Sequence, residues 1–298
     1  ECREIAAVVG APRINEDERG KTLYNSALFL ADGKIQSVHH KTLLPTYDIF
    51  DEYRHFEPNK TFEVVEYKGE KIAVTICEDL WDEQPTANEF GKDKLYTVSP
   101  MEELSKLEPD FVVNISASPF SYNQENWRKD VLISKAKKYS IPIFYVNQVG
   151  AQTELIFDGG SVYIDNAGQI HEELKYFEED YLLVDTKNTG DKLHQEPADY
   201  IEKIHDALVL GIRDYFAKMG FKQATLGLSG GIDSALTLVL AVRALGKENV
   251  RVLLMPSKIS SQHSVDDAKE LAENLGIRYD IINIQSMVDE FEKSLSPL

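Results

Sequence analysis

Leu228-Ser229-Gly230-Gly231-Ile232-Asp233-Ser234 lies between a short apolar run, Ala224–Leu228, and a helical pattern, Ser234–Leu245, that stops at Gly246. Two adjacent glycines let a backbone turn tightly and bring its N–H groups against an anion. A helix starting near Ser234 adds its positive N-terminal end. Ser229 and Ser234 supply hydroxyl donors. Asp233 would repel a phosphate unless a cation lay between them, which makes it a candidate Mg²⁺ ligand. A bare Gly-Gly pair is most often a plain strand-to-helix turn. Here it comes with two hydroxyls and a carboxylate at the right junction, which favours a phosphate loop. It is not a Walker loop, because no Gly-Lys-Ser/Thr is present.

Working outward, Val250–Met255 and Tyr279–Ile284 read as strands. Ile201–Met219, Ser264–Leu275 and Ser286–Leu295 read as helices, with Ser264 and Asp267 spaced as an N-cap pair and Gly276 as a stop. Strand–helix–strand–helix–strand at this short period predicts a parallel, doubly wound sheet. Before it, Lys187–Pro197 is polar and broken by Gly190 and Pro197, as a linker would be.

Residues 5–185 have a different texture. Ile5–Ala11, Ser26–Ala31 and Ile35–His40 are strand candidates, the last two joined by the turn signal Asp32-Gly33. Phe62–Tyr67 and Lys71–Cys77 flank a second turn, Lys68-Gly69-Glu70. Phe111–Ile115, Ile141–Asn147, Ser161–Ile164 and Tyr181–Asp185 read as further strands, and Glu125–Tyr139 has helical spacing. This alternation predicts a layered α/β domain.

The chain has 298 residues, 43% hydrophobic and 28% charged, which suits a folded protein of about two domains. Its net charge is −18. Residues 201–298 hold 13 acidic and 11 basic residues, so the other 37 acidic and 21 basic residues fall in 1–200. A surface this acidic offers no electrostatic footprint for nucleic acid or anionic membrane. No apolar run approaches the ~18 residues of a membrane span, and no secretion signal opens the chain. Two cysteines, Cys2 and Cys77, form neither a disulfide framework nor a metal-ligand spacing, so a reducing, cytoplasmic setting is the simple reading.

Cys77 ends an apolar strand and opens into Cys77-Glu78-Asp79-Leu80-Trp81. A lone cysteine is usually a small buried hydrophobe, and a lone lysine such as Lys41 is usually a solvated one. Their surroundings argue otherwise. Lys41-Thr42-Leu43-Leu44-Pro45-Thr46-Tyr47 precedes Phe50-Asp51-Glu52, and Asn114-Ile115-Ser116-Ala117-Ser118-Pro119 follows a buried strand. A Lys followed by Leu-Pro, then a Glu, then Cys-Glu-Asp resembles the nitrilase superfamily of amidases. The 228–234 loop resembles the signature of N-type ATP pyrophosphatases, and with Met255-Pro256-Ser257 and Ser260-Ser261-Gln262-His263-Ser264 downstream it looks like the NAD synthetases among them. A nitrilase module joined to this loop is similar to the glutamine-dependent NAD synthetases.

The resemblance implies a nitrilase-type α-β-β-α sandwich at residues 1–188, a linker at 189–199, and a doubly wound, Rossmann-like sheet of the adenine nucleotide alpha hydrolase kind at 200–298. It implies that a Cys77 thiolate attacks the carboxamide of glutamine, with Lys41 lowering the thiol pKa and stabilising the oxyanion, Glu52 supporting Lys41, and the Glu78 N–H as second oxyanion donor. Tyr47 and Ser118 match the residues that hold glutamine, and Gln124 stands where the family usually has Lys or Arg. Gly227, Leu228, Ser229, Gly230, Gly231, Ile232, Asp233 and Ser234, with Met255, Pro256 and Ser257, match the ATP site, and Asp233 the Mg²⁺ ligand. The implied substrates are glutamine, ATP and nicotinic acid adenine dinucleotide, in a homo-oligomer that passes ammonia internally. Gly159-Gly160-Ser161 also resembles the superfamily, with a plain turn and a binding role equally open. The general-base glutamate of the family stands in a Pro-Glu context upstream of the lysine, and no such pair precedes Lys41, so we expect it on a segment before residue 1; the helical pattern of Ser294–Leu298 has no stop signal, so we expect the second domain to continue as well. Two other readings stay open: a stand-alone carbon–nitrogen hydrolase with a nucleotide-binding partner domain, and a non-catalytic scaffold.

Overall fold

The structure is a computed structural model that describes residues 2–47, 49–83, 96–122, 124–187 and 200–296. The expected linker, 189–199, lies outside the described residues. The chain divides into two compact units, Glu1–Val149 with Phe157–Pro197, and Gly150–Ile156 with Ala198–Leu298.

The first unit opens with an antiparallel sheet, β1 (Ala7–Ile14), β2 (Leu23–Ala31) and β3 (Lys34–His40), in that order. Asp32 and Gly33 both have positive φ, +52° and +75°, which is what a two-residue hairpin matching the strand twist requires. The short helix α1 (Glu52–His55) leads to the hairpin β4 (Val64–Tyr67) and β5 (Glu70–Ile76), turned by Lys68-Gly69, where φ is again positive at both residues, +52° and +87°. A single 3-10 turn, Cys77–Leu80, follows β5 directly. Then come α2 (Pro100–Ser105), β6 (Phe111–Ser116), α3 (Gln124–Tyr139), β7 (Ile143–Asn147), the short hairpin β8 (Val149–Gln152) and β9 (Leu155–Asp158), β10 (Val162–Ile164) and β11 (Ile170–Glu173).

Six of these strands form one sheet in the order β11-β10-β7-β6-β5-β4. The central β5, β6 and β7 are parallel, and the outer strands are antiparallel to their neighbours. Period-two alternation assigns each face. Ile72, Val74 and Ile76 of β5 pack with Ala27, Phe29 and Ala31 of β2, between the two sheets. Ala73, Val112, Ile143 and Tyr145 face the opposite way and pack with Met101, Leu104, Leu132 and Ala136 of α2 and α3. A strand buried on both faces reads as a continuous apolar run, as β5 does. Helices, sheet, sheet are therefore three layers of the nitrilase-type sandwich; a second helix layer is not among the described elements of this unit.

In the second unit, α4 (Tyr200–Met219) precedes β12 (Ala224–Gly227), α5 (Ile232–Leu245), β13 (Val250–Leu254), α6 (Gln262–Leu275), β14 (Arg278–Ile281) and α7 (Gln285–Leu295). The strands are parallel, in the order β12-β13-β14. Val250, Val252 and Leu254 pack with Leu238 and Ala241 of α5 and Ala268 and Ala272 of α6. The Gly150–Ile156 hairpin tip packs here, with the Ala151 N–H donating to the Asp214 carboxylate at 2.8 Å and Lys218 donating to the Ala151 carbonyl. No described helix is long and apolar enough to cross a membrane.

Two sequence expectations need correction. Tyr181–Asp185 is not a strand. Its apolar run serves a groove instead: Tyr181, Leu182 and Val184 line a cavity of about 540 Å³ together with Phe144 and Val146. The cap of α6 is Ser261, not Ser264: the Ser261 hydroxyl accepts the Ser264 N–H at 3.1 Å, so the helix starts two residues earlier than its apolar pattern.

Candidate active site

Parallel strands end side by side, and their carboxyl ends are where an α/β sheet gathers functional groups. Here Ile76 pairs with Ile115 and Ser116 with Asn147. The segments leaving these ends carry Cys77, Ser116-Ala117-Ser118 and Asn147-Gln148.

Cys77 opens its 3-10 turn with φ +44°, a left-handed backbone costly for a residue with a side chain. Asp79 holds it there. One carboxylate oxygen accepts the Ile76 N–H at 3.0 Å, and the other accepts the Thr42 and Leu43 N–H groups, both at 2.9 Å. One buried side chain thus clamps the cysteine turn to the backbone that follows Lys41. Asn114 adds a second brace, donating to Thr75 Oγ1 at 2.9 Å and to the Cys77 carbonyl at 3.4 Å. Ser116 in turn donates to Asn114 Oδ1 at 2.6 Å. Early N–H groups of a helical turn have no partner within the turn, which leaves the Glu78 N–H suited to an oxyanion.

Lys41 is 1% exposed. Its ammonium lies 2.6 Å from Glu52 Oε1, and Asn25 Nδ2 donates to Glu52 Oε2 at 3.2 Å. Lys41, Glu52, Cys77, Asn25, Ser116 and Gln148 line one cavity of about 330 Å³. Burial pushes the Cys77 thiol above its ordinary value, with Lys41 pulling it down. Burial disfavours the Lys41 ammonium too, but Cys77 and Glu52 retain its proton and the net direction is upward. The lowering of the thiol expected from Lys41 is therefore present but outweighed by desolvation. At rest the pair is a thiol facing an ammonium, an arrangement that stabilises a thiolate or oxyanion once a proton leaves.

The other glutamine-site candidates sit around this centre. Tyr47 donates its hydroxyl to Glu78 Oε1 at 2.7 Å, and Tyr96 donates to the same oxygen at 2.9 Å. Burial raises the Glu78 carboxyl, and the two tyrosine hydroxyls oppose it. Ser118 is buried just beyond the cavity-lining Ser116 and Ala117. Gln124 begins α3, and its side chain lies outside the described residues. Sequence reasoning gave no role to Asn25, Asp79 or Tyr96. Asp79 stood in view beside Cys77, but two of its three partners are 36 and 37 residues away.

The second candidate site needs no such convergence. Gly230 has φ +82°, and a Cβ there would lie 2.2 Å from the Ser264 carbonyl oxygen, so α6 approaches too closely for a side chain. The Ser229 hydroxyl accepts the Gly231 N–H at 3.2 Å and lies 3.0 Å from the Ser234 hydroxyl, which donates to the Gly231 carbonyl at 2.9 Å. A Cβ at Gly227 would lie 3.2 Å from Met255 Cε, so Met255-Pro256-Ser257 runs beside the loop's entry. Leu228 points into the core, whereas Ile232 is 79% exposed. Asp233 is exposed in the first turn of α5. Among the described residues no three His, Cys, Asp or Glu cluster as a metal cage. A single carboxylate beside a phosphate cradle fits Mg²⁺, which binds through one or two carboxylates plus phosphate oxygens and water.

Residues 1–191 match the family model for carbon-nitrogen hydrolase, and residues 204–297 match that for NAD synthase. The glutamine-dependent NAD(+) synthetase of Synechocystis is 44% identical, over 99% of this chain and 53% of that protein. That of Acinetobacter baylyi is 37% identical, over 100% and 52%. The solved structure of a glutamine-dependent NAD+ synthetase from Acinetobacter baumannii in complex with ADP superposes with a TM-score of 0.87 at 38% identity, over 99% of this chain and 53% of that one. The chain spans about half the length of the curated relatives it matches. With a cysteine, a lysine and a glutamate converging on one cavity, and with the family model matched across residues 1–191, the chain belongs to the carbon–nitrogen hydrolase family.

Proposed function

We propose that this chain carries the glutaminase and the first part of the synthetase of a glutamine-dependent NAD synthetase, with a glutaminase domain at 1–188 and the synthetase from residue 200. The observation that carries the reading is the meeting of Lys41, Glu52 and Cys77 in one cavity, in a chain that also holds a strand–loop–helix phosphate cradle.

In this reading Cys77 Sγ attacks the carboxamide carbon of glutamine. The oxyanion receives Lys41 Nζ and the Glu78 N–H. Collapse breaks the C–N bond, the nitrogen leaving as ammonia with the proton that the thiol gives up, and leaves a γ-glutamyl thioester, which water hydrolyses to glutamate and the free thiol. Glu52 is already engaged by Lys41, so it fixes the ammonium rather than shuttling protons. At the other site the loop N–H groups and the Ser229 and Ser234 hydroxyls hold ATP phosphates, and Asp233 holds Mg²⁺, which neutralises phosphate charge. The carboxylate of nicotinic acid adenine dinucleotide is adenylated with loss of pyrophosphate. Ammonia then displaces AMP to give NAD.

The test separates the two chemistries in the full-length protein. Cys77→Ala is expected to abolish NAD formation from glutamine and to leave NAD formation from ammonia near its original rate. Equal loss with both nitrogen donors would overturn the division of labour. Amide hydrolysis that proceeds without any ATP-dependent product would favour a stand-alone hydrolase.

A further inference from the structure

Four polar side chains, from four separate segments, are buried together, Ser118, Arg128, Asn147 and Asp158, between 1% and 7% exposed, and Ser118 and Asn147 directly adjoin Ala117 and Gln148, which line the Cys77 cavity. Their hydrogen bonds form one chain. Arg128 Nη2, on α3, donates to both oxygens of Asp158 at 3.0 and 2.9 Å. Asp158 Oδ1 accepts from Asn147 Nδ2 at 3.0 Å. The same amide nitrogen donates to the Gly159 carbonyl at 3.0 Å, which Arg128 Nη1 also approaches at 3.4 Å. With both amide hydrogens committed, Asn147 can present only its oxygen in the remaining direction. That oxygen accepts the backbone N–H of Ser118 at 2.9 Å.

Burying an arginine, an aspartate and an amide is expensive unless the groups are partnered; here Arg128 Nε has no partner among the described residues, but both of its terminal nitrogens, the Asp158 carboxylate and the Asn147 amide are engaged, and such a network admits few alternative positions. This chain of bonds reaches from a helix and a hairpin end to one backbone N–H, the one that places Ser118. It also accounts for Gly159-Gly160-Ser161, whose role was open. Gly159 supplies the shared carbonyl at φ +70°, and the Ser161 hydroxyl accepts the Asn147 N–H at 3.0 Å.

We infer that Arg128, Asp158 and Asn147 act as a positioning relay that fixes Ser118 for binding glutamine. The inference rests on the proposed glutaminase reading, in which Ser118 contacts that substrate. None of the three relay residues touches the reacting atoms, so their effect should fall on glutamine KM more than on kcat.

The experiment is a double-mutant cycle in the full-length protein, with NAD formation followed against glutamine and, separately, against ammonia. Ser118→Ala and Asn147→Ala are each expected to raise glutamine KM about tenfold, the equivalent of one positioning hydrogen bond. The double variant is expected to be no worse than Ser118→Ala alone, because Asn147 acts on glutamine through the Ser118 hydroxyl, which that variant already lacks. Ammonia-driven synthesis in the Asn147 variant should match the parent. If Asn147→Ala does not fold, Asn147→Ser, which keeps an oxygen but loses the two donors, takes its place with a smaller rise in KM. Additive effects, an unchanged glutamine KM in the Asn147 variant, or parallel loss with both nitrogen donors would overturn the relay. An unchanged KM in Ser118→Ala would overturn Ser118 and the relay together. The glutaminase reading would still stand as long as Cys77→Ala abolished glutamine-driven turnover.

Discussion

The Cys77 centre and the 228–234 loop are built by opposite means. Around Cys77, side chains from β2, the segment after β3, α1, β5 and β6 meet in a desolvated cavity, and buried carboxylates, amides and a lysine hold one another in place. In the loop, consecutive residues set backbone N–H groups and two hydroxyls in a turn that is exposed beyond the buried Leu228. A centre made of distant side chains depends on how each is braced. A centre made of local backbone depends on sterics. The two should therefore fail in different ways.

The largest effect is expected at Gly230. A methyl group there meets the Ser264 carbonyl at 2.2 Å and faces a left-handed φ of +82°, so loop or helix must shift. Displacement of about 1 Å at a site that positions reactants can cost roughly 10²-fold. Gly230→Ala in the full-length protein is expected to lose at least that much NAD synthesis with glutamine and with ammonia alike. Glutamate release at Cys77 should persist. Loss confined to the glutamine-driven reaction would show that the loop is not the ATP site.

Asp233→Asn should cost less, because it changes one ligand and leaves the backbone cradle intact. An amide oxygen is a poorer Mg²⁺ ligand than a carboxylate, and even outer-shell changes around metals cost roughly 10–100-fold. The expected result is a fall of roughly that size in Mg·ATP use, relieved in part by raised Mg²⁺, with an unchanged melting temperature. An unaltered dependence on Mg²⁺ would remove Asp233 from the metal site.

The same contrast explains what was legible beforehand. The loop could be read from Ser229 to Ser234 because its chemistry is contiguous. The strand β5 and the break at Cys77-Glu78-Asp79 could also be read. The convergence of Lys41, Glu52 and Cys77 came from family likeness, since nothing in local spacing brings residue 41 to residue 77. The Asp79 clamp and the Asn147 relay were invisible, because most of the groups they join meet only through tertiary structure. Short strands such as β8 and β9 carry too few residues for a period to show. Tyr181–Asp185 failed in the other direction: a short apolar run marks a segment that covers apolar surface, and a groove satisfies that as well as a sheet does.

The smallest effect we expect on turnover concerns proton binding near the first site. His39, buried beside the segment that carries Lys41, has its pKa lowered to about 4, chiefly by burial and then by His40. An unfolded histidine takes its proton near pH 6.5, so between about pH 6.5 and 4 the unfolded chain binds more protons than the folded one. His39 therefore costs stability as pH falls through that window. Asp79 acts in reverse. Burial raises its pKa to about 6 against three backbone N–H donors, so the folded state binds the extra proton, and stability falls as pH rises through about 4 to 6. Each shift is worth about 3 kcal/mol at full extent, and over the shared range they nearly cancel. His39→Gln removes one side of the balance and can keep a hydrogen bond to Ser37, whose hydroxyl lies 2.8 Å from His39 Nε2. The variant's unfolding free energy relative to the parent should improve by about 3 kcal/mol between pH 7 and pH 4, with glutaminase turnover unchanged at neutral pH. Both tryptophans, Trp81 and Trp127, stand in this unit with ring centroids 5.7 Å apart, so urea unfolding followed by tryptophan fluorescence reports on it directly. A difference between variant and parent that stays constant with pH would show that His39 is protonated in the folded chain, and that the segment holding Lys41 is wetter than its packing indicates.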